Sequence, residues 1–391
     1  MVKPFKLVLR WLKISLLTLS LLFVAGCWSK EELNDRTFIT TLLVDRTDAG
    51  ETEVSALFIL PNRLSAGLSP SPNEKPYTLV TRTGRNVAEA IQKLQEELSR
   101  SVNWGQMRVI VIGDKYARAG MAPLFDYLLR APDFRLRVFV FYFDGLVKDL
   151  AKLDTIFERS PAEIWREAAH TQRVPPVTIR DLLYSQWNNL GDGFIPELDL
   201  HTVKLPTETK TVHWSGIGGA ALMKDAKIVS KFTKDETKGI LLLTNRIREL
   251  IVTANLPDNK GEPFSARLFG IKPYTRAVRQ GDRVLIRVDI EAEGDLMSIH
   301  DGFDLEKPAN IVKLEKALSL KLRELAESAV EQARRNKSDA FQWSEYVKYE
   351  SPALWREWSD DLRDQLTMNI SADIRVHVHL RSTGVNRSSK K

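Results

Sequence analysis

The first half of the chain alternates between short apolar runs and segments with apolar residues every three or four positions. The runs at 38–45 and 52–60, around Asp48-Ala49-Gly50, predict two antiparallel strands joined by a turn. The near-continuous apolar run 108–113 is typical of a strand that is covered on both faces. Strands are also predicted at 78–82 and 136–144, and helices at 86–99 and 123–130. This alternation predicts an α/β layer.

A polar connector is predicted to end this first unit. Helical segments come before it at 146–153, 161–170 and 178–187. Gly191-Asp192-Gly193 and the residues that follow to Pro206 are interpreted as the connector, because glycine and proline favour loops. We therefore expect an N-terminal α/β domain at 37–205.

The second half predicts hairpins, one long helix and a closing strand. The first hairpin joins strands 220–224 and 227–232 at Asp225-Ala226, and the second joins 264–276 to 282–296. The longest helix is predicted at 308–333, and strand 374–380 places its apolar residues on one face. Together these elements predict a multidomain α+β fold (mixed α/β) of mixed sheets packed with helices. We expect a C-terminal α+β domain at 206–385 and a basic tail at 386–391.

The first 26 residues predict a bacterial secretory signal. Basic residues up to Lys13 precede the apolar run 14–26, which is shorter than the ~20 apolar residues of a spanning helix. Cys27 follows Val24-Ala25-Gly26, which resembles a lipobox, in which the Cys sulfur receives a diacylglyceryl group carrying acyl chains such as palmitate. Residues 27–36 are then the lipidated Cys27 and a polar tether. A cleaved signal with a coincidental Cys, or an uncleaved anchor, remains an alternative.

Charge and cysteine content exclude several classes of function. Lys plus Arg number 57 against 51 Asp plus Glu, a formal net charge of +6. Four of the basic residues and none of the acidic ones lie in residues 1–26, which leaves 53 against 51, or +2. This balance excludes a strong polyanion-binding surface. One Cys excludes an intrachain disulfide and a Cys-based zinc cluster.

A dinucleotide-binding fingerprint is matched loosely at 216–221, Gly-Ile-Gly-Gly-Ala-Ala. That motif needs a helix immediately after it, because the helix N-terminus holds the pyrophosphate. Here a β-hairpin is predicted instead. Close strand packing is therefore the favoured interpretation of these glycines.

Two further groups of polar residues could carry chemistry. His377 and His379 share a strand face as metal ligands might, but no third ligand is evident nearby, and a solvated or interfacial face is favoured. Asp360, Asp361 and Asp364 form a carboxylate cluster on a polar helical stretch, which favours a solvated helix face. We therefore predict no enzyme, no metal site and no cofactor, with Cys27 as the one modified residue.

Nine collinear segments carry a resemblance to a known family. They lie at 27–35, 37–45, 82–86, 109–113, 129–135, 218–222, 236–239, 339–341 and 352–355, followed by a final strand to Gly384. Together they resemble the Ger(x)C (GerAC-like) lipoproteins, the C-subunits of bacterial spore germinant receptors. Ser29 stands where this family usually has Asp, and Gln342 follows Phe341 where a glycine is usual.

The resemblance implies a lipid-anchored, non-catalytic membrane protein at the outer face of the spore's inner membrane. Such C-subunits form a germinant receptor with an A-subunit and a transporter-like B-subunit, both multi-pass membrane proteins. Nutrients trigger the complex, which commits the spore to germinate. The implied fold is a multidomain mixture of helices and sheets, and the family implies no cofactor.

Two other classes of protein stay open from the residues alone. A solute-binding lipoprotein of a membrane importer would have an aromatic-lined cleft, for which Trp343, Trp355 and Trp358 are candidates. A lipid-anchored hydrolase would need a convergent catalytic group, and none is found. As docking surfaces for partners, the proline-rich loop 61–76 and the face of His377 and His379 are candidates without a motif.

Overall fold

Two β-sheets organise the part of the chain that the structure describes. The computed structural model describes residues 10–16, 35–60, 75–155, 158–188, 190–206, 211–256, 261–300, 303–358 and 361–382. Residues 10–16 form a short helix, α1. The loop predicted at 61–76 lies outside the described residues except for its last two positions.

The first sheet has nine strands and a parallel centre. Its order is β3-β2-β1-β5-β6-β7-β8-β9, with β4 paired to β1; the contacts among β1, β5, β6 and β7 are parallel. The strands are β1 (Arg36–Arg46), β2 (Thr52–Ile59), β3 (Tyr77–Gly84), β4 (Ser101–Asn103), β5 (Val109–Gly113), β6 (Phe139–Phe143), β7 (Gly193–Lys204), β8 (Thr211–Lys224) and β9 (Lys227–Phe232). The predicted strands and the predicted hairpins of this region are confirmed, whereas β4 and β7 are not predicted from the sequence.

Helices cover both faces of this sheet. They are α2 (Val87–Glu97), α3 (Asp114–Ala119), α4 (Ala122–Arg130), α5 (Pro161–His170) and α6 (Ile179–Asn188). Ile110 and Ile112 of β5 pack in one hydrophobic core, while Val109 and Val111 pack in the core on the opposite face. This alternation confirms the prediction of a strand covered on both sides. The helix predicted at 146–153 is a 3-10 helix, Val147–Lys152.

The connector predicted at 191–206 is wrong, because most of it is strand β7. Phe194, Ile195 and Leu198 are buried, and β7 pairs with both β6 and β8. Pro196 is tolerated since it lies where the register with β8 shifts. The sheet consequently continues past residue 205 and takes in β8 and β9.

The second sheet has four strands in the order β10-β11-β12-β13. Its strands are β10 (Glu249–Asn255), β11 (Pro263–Gln280), β12 (Arg283–Ser298) and β13 (Ile370–Ser382). The helices of this half are α7 (Lys234–Leu243), α8 (Pro308–Arg335), α9 (Trp343–Glu350), α10 (Pro352–Trp358) and α11 (Leu362–Asn369). The predicted long helix is therefore confirmed as α8, and the predicted closing strand as β13.

The long helix covers one face of this sheet and its β13 edge. Leu314, Leu318 and Leu322 of α8 lie in one core with alternate residues of β12. At the open edge, the Val378 N–H donates to Ser319 Oγ at 3.1 Å. The Leu380 N–H donates to Glu315 Oε1 at 2.8 Å. These side chains satisfy backbone donors that would otherwise be free to pair with another strand.

Helix α7 links the hydrophobic cores of the two sheets. Ile240 packs in a core of the nine-stranded sheet, whereas Leu241 and Leu242 pack in the core of the four-stranded sheet. Gly239 lies so close to α8 that an added Cβ would overlap the Leu325 carbonyl oxygen. The close approach of α7 and α8 therefore depends on glycine at this position.

Candidate functional site

The predicted lipidation site, Cys27, lies outside the described residues, and its modification stays a prediction. Among the residues that the structure describes, no helix has both the length and the apolar character needed to cross a membrane.

The two histidines singled out from the sequence lie on the exposed side of β13. His379 Nδ1 is 3.1 Å from Glu315, and the side chains of both histidines are exposed. Within the described ranges, no group of three or more His, Cys, Asp or Glu side chains is placed to hold a metal ion. This geometry supports the interpretation of a solvated sheet face.

The other candidates from the sequence are the carboxylates at 360, 361 and 364 and the glycines at 216–219. Asp364 on α11 forms an ion pair with Lys337 at 2.7 Å, and this lysine holds the pKa of Asp364 below its usual value. Asp361 is exposed, and Asp360 lies outside the described residues. Gly219 lies in β8, where an added Cβ would overlap the Phe232 carbonyl oxygen. A strand rather than a helix follows these glycines, so close strand packing explains them.

Asp192 is the centre of a buried polar cluster between the two sheets, which we call the junction cluster. Its side chain is completely buried. One carboxylate oxygen accepts the Asp339 N–H at 2.8 Å and Arg363 Nη1–H at 2.7 Å. The other accepts the Asp225 N–H at 3.0 Å and Arg363 Nη2–H at 3.1 Å. These four bonds use the full acceptor capacity of a carboxylate.

Arg363 connects α11 to the junction cluster through hydrogen bonds. Its guanidinium also donates to the Lys337 carbonyl at 2.9 Å and to the Asp225 carboxylate at 2.6 Å. A planar guanidinium matches both oxygens of Asp192, which the single ammonium of lysine would not. Helix α11 contributes no fully buried residue. Leu362 and Leu366 pack half-buried against the core of the four-stranded sheet, and Arg363 adds a polar attachment of α11 to the junction cluster.

Asp339 is a second buried carboxyl group in the junction cluster. Its oxygens accept the Trp343 N–H at 2.8 Å and the Ser344 N–H at 2.9 Å, and so cap the first turn of α9. Burial raises the pKa of Asp339 to about 7, although the hydrogen bonds from Ser344 and Trp343 lower it. The negative charge of Asp192 also raises this pKa. Burial also raises the pKa of Asp192, opposed by Arg363. The cluster can therefore hold a proton near neutral pH.

A cavity of about 360 Å³ adjoins the junction cluster. Asp192, Asp339 and Arg363 line its polar end, and its walls are mostly apolar. The apolar lining includes Val330, Phe341, Trp343, Leu366 and Ile374. Such a volume and lining can enclose a small, largely apolar molecule.

Of the three tryptophans proposed for a cleft, only Trp343 lines this cavity. Trp358 is buried in the core of the four-stranded sheet. The Trp355 ring lies 5.8 Å from the Lys348 ammonium.

The junction cluster was not recognisable from the sequence. The sequence pattern places Asp192 in a predicted connector and Asp225 in a predicted turn. Arg363 lies 171 positions from Asp192 and is adjacent to three predicted surface carboxylates. The one local signal is the pair of glycines that flank Asp192, since Gly191 has a positive φ of 69° and packs against the backbone of Ala226.

Comparisons with known proteins cover nearly the whole chain after residue 28. Residues 29–200 match the spore germination protein N-terminal domain, and residues 218–384 match the domain described as spore germination B3/GerAC like, C-terminal. Spore germination protein KC of Bacillus subtilis (strain 168) is 23% identical over 394 residues, with 96% of each chain covered. Spore germination protein GerQC of Bacillus cereus is 21% identical over 371 residues, covering 94% of this chain and 98% of the relative.

The same fold occurs in a solved structure. The crystal structure of the GerBC protein aligns with a TM-score of 0.57 and 14% identity, over 87% of this chain and 96% of that chain. The fold and the junction cluster define a multidomain α+β protein whose two sheets are linked by a buried ion pair. The chain belongs to the GerAC-like family of spore germination proteins, and the resemblance found in the sequence is confirmed.

Proposed function

We propose that this chain is the lipid-anchored, non-catalytic C-subunit of a spore germinant receptor. In this proposal a diacylglyceryl group on Cys27 holds the body at the outer face of the spore's inner membrane. Two acyl chains suffice for stable anchoring, whereas one gives marginal binding. The body acts with A- and B-type multi-pass membrane subunits in nutrient-triggered germination and takes no cofactor.

The observation that carries this proposal is the tandem match of the two spore germination domains. They follow in order from residue 29 to residue 384 and so begin two positions after Cys27. The junction cluster supports a role in assembly or signal transmission, because it couples elements of the two halves at one buried site. An anchor also raises the effective concentration of the body near membrane partners, without a basic surface.

Affinity purification tests this proposal directly. The tagged full chain would be purified in mild detergent from dormant-spore membranes, and its partners quantified by mass spectrometry. We expect two multi-pass membrane subunits in near-equal amounts. Importer permease and ATPase subunits in their place, or no membrane subunit at all, would contradict the proposal.

The cavity beside the junction cluster favours a second candidate function, the binding of a small solute. Trp343 lies in its wall, and the volume is at the lower end of the range of ligand sites. Calorimetric titration of the protein with amino acids that have apolar side chains tests it. Saturable heat that disappears in a Val330→Trp variant, which fills the cavity, would support the solute-binding alternative.

A further inference from the structure

A crevice, which we call the edge crevice, lies at one edge of the nine-stranded sheet, where β1, β3 and β5 have their carboxyl ends. β3 runs antiparallel to β2 and β2 antiparallel to β1, so β3 has the direction of β1, and β5 is parallel to β1. The chain adds β2 and β3 on one side of β1 and β5 on the other, so the strand order reverses at β1. In open α/β sheets, ligands bind outside the carboxyl ends of strands at such a reversal.

The segments at the ends of these three strands form the walls of the edge crevice, together with α4 and the β8–β9 turn. Arg46 is the last residue of β1, Arg85 follows β3, and Tyr116 follows β5. The volume of the crevice is about 670 Å³. This volume lies within the range of small-molecule sites.

Most of the charged side chains that line the edge crevice are already paired. Arg85 pairs with Glu89 at 2.8 Å, and Arg130 pairs with Asp126 at 2.9 Å. Asp225 pairs at 2.6 Å with the arginine of the junction cluster. These pairs therefore add little net charge to the crevice.

Two further cations, Arg46 and Lys227, line the edge crevice, and neither forms an ion pair within the part of the chain that the structure describes. Arg46 Nε donates to the Gly50 carbonyl at 2.9 Å. This bond holds the guanidinium beside the β1–β2 turn and leaves its two terminal NH₂ groups for another acceptor. The crevice consequently has a net charge of about +2.

Lys227, at the start of β9, is positioned by the segment that joins α3 to α4. An added Cβ at Gly120 would lie 3.5 Å from Lys227 Cε, so the lysine side chain lies against this glycine. The Met121 N–H donates to the Ala226 carbonyl at 2.8 Å and holds the β8–β9 turn at the start of α4. The ammonium group is thus supported by two neighbouring elements.

Neutral hydrogen-bond donors also line the edge crevice. Burial raises the pKa of Tyr116 to about 12, and burial also raises the pKa of Tyr127. Both phenols therefore keep their protons at neutral pH and can donate to an anion. Asn86 Oδ1 accepts the Glu89 N–H at 2.9 Å, which leaves the side-chain NH₂ group of Asn86 as a further donor.

We propose that the edge crevice binds a small phosphomonoester. A phosphate group of this kind carries about two negative charges at pH 8, as many as the two cations without an acidic partner, Arg46 and Lys227. A guanidinium group donates two parallel N–H bonds to phosphate oxygens, and a lysine contributes a point charge. The remaining volume accommodates an organic group beside the tyrosine rings. The proposal is independent of the membrane anchor and of the receptor subunits.

Isothermal titration calorimetry of the purified full chain in a non-ionic detergent tests the site, with glycerol phosphate at about pH 8 and low salt as the probe. We expect saturable binding that is about tenfold weaker in Arg46→Met and in Lys227→Met, because each loses a charge-assisted hydrogen bond. Arg137→Met and Lys234→Met are the matched controls, since both remove an exposed cation outside the crevice. The controls should bind as tightly as the unchanged protein.

Four results of this titration would overturn the proposal. The first is the absence of saturable heat with glycerol phosphate. The second is an equal loss of affinity in the crevice variants and the controls, which would show unspecific attraction of anions. Tighter binding of succinate would assign the crevice to a dicarboxylate instead. Binding to vesicles of phosphatidylcholine and phosphatidylglycerol without binding of glycerol phosphate would show a membrane contact.

A second measurement uses the unchanged protein and so does not depend on the folding of a variant. Acetylation of lysine amines, followed by mass spectrometry, reports how accessible each amine is. Glycerol phosphate at ten times its Kd should slow the acetylation of Lys227 about tenfold, because the free site is depleted by that factor. The acetylation of Lys234 should not change. Equal acetylation of Lys227 with and without glycerol phosphate would contradict the site.

Discussion

At the residue scale, the junction cluster depends on a bidentate ion pair whose acidic partner is fully buried. We expect Arg363→Met to lower the free energy of unfolding by about 3–5 kcal/mol, because it leaves the Asp192 carboxylate buried and unpaired. Arg375→Met is the matched control, since Arg375 pairs with Asp373 at the surface and should cost less than about 1 kcal/mol. Denaturant unfolding measures both, and equal effects would contradict the importance of the junction.

Also at the residue scale, we expect the stability of the protein to depend on pH through Asp339. Its pKa is about 7 in the folded protein, above the ordinary value of 3.8, so the folded state holds a proton that the unfolded state releases. The contribution of this proton to the free energy of unfolding is therefore complete below about pH 4 and is lost as the pH rises through 7. We expect a loss of about 2 kcal/mol between pH 5 and pH 8 in the unchanged protein. Asp339→Asn should show a smaller difference between these two pH values, measured by denaturant unfolding.

At the scale of elements, the approach of α7 to α8 determines how the two cores meet. We expect Gly239→Ala to destabilise the protein by about 3 kcal/mol, because the new methyl group must displace the backbone at Leu325. The control is Lys234→Ala, at an exposed position of the same helix. The two variants are compared by thermal unfolding. If Gly239→Ala is as stable as Lys234→Ala, α7 and α8 can move apart without loss of stability, which would contradict this prediction.

The elements themselves were largely predictable, because most strands and helices carry a clear local pattern. The alternation of Ile374, Val376 and Val378 predicted a half-buried strand, and each of these residues is buried in β13. The local pattern does not predict β7, because Gly193 and Pro196 are residue types typical of loops. Its strand conformation depends on pairing with β6 and β8. Local pattern also does not reveal which helix covers an edge, as α8 does for β13.

At the scale of the whole molecule, the sites consist of residues that only the fold brings together. Asp192 meets Arg363 across 171 positions. Composition and periodicity contain no information on such pairs, whereas the family could be recognised because its motifs are collinear. Membership of the family was therefore accessible from the sequence, and the junction cluster was not.

The proposed lipid anchor makes a prediction about the whole molecule. With a net charge of only +2 after residue 26, the body has little electrostatic attraction to an anionic membrane, so a covalent lipid must hold it if the proposal is correct. We expect the unchanged protein to stay with spore membranes in 1 M salt, which screens surface charges over about 3 Å. Its mature N-terminal peptide should begin at a Cys27 that carries the mass of a diacylglyceryl group. Cys27→Ala should lack this mass and leave the detergent phase on partitioning. An unmodified Cys27, or a Cys27→Ala protein cleaved at the same position and still in the detergent phase, would contradict the lipid anchor.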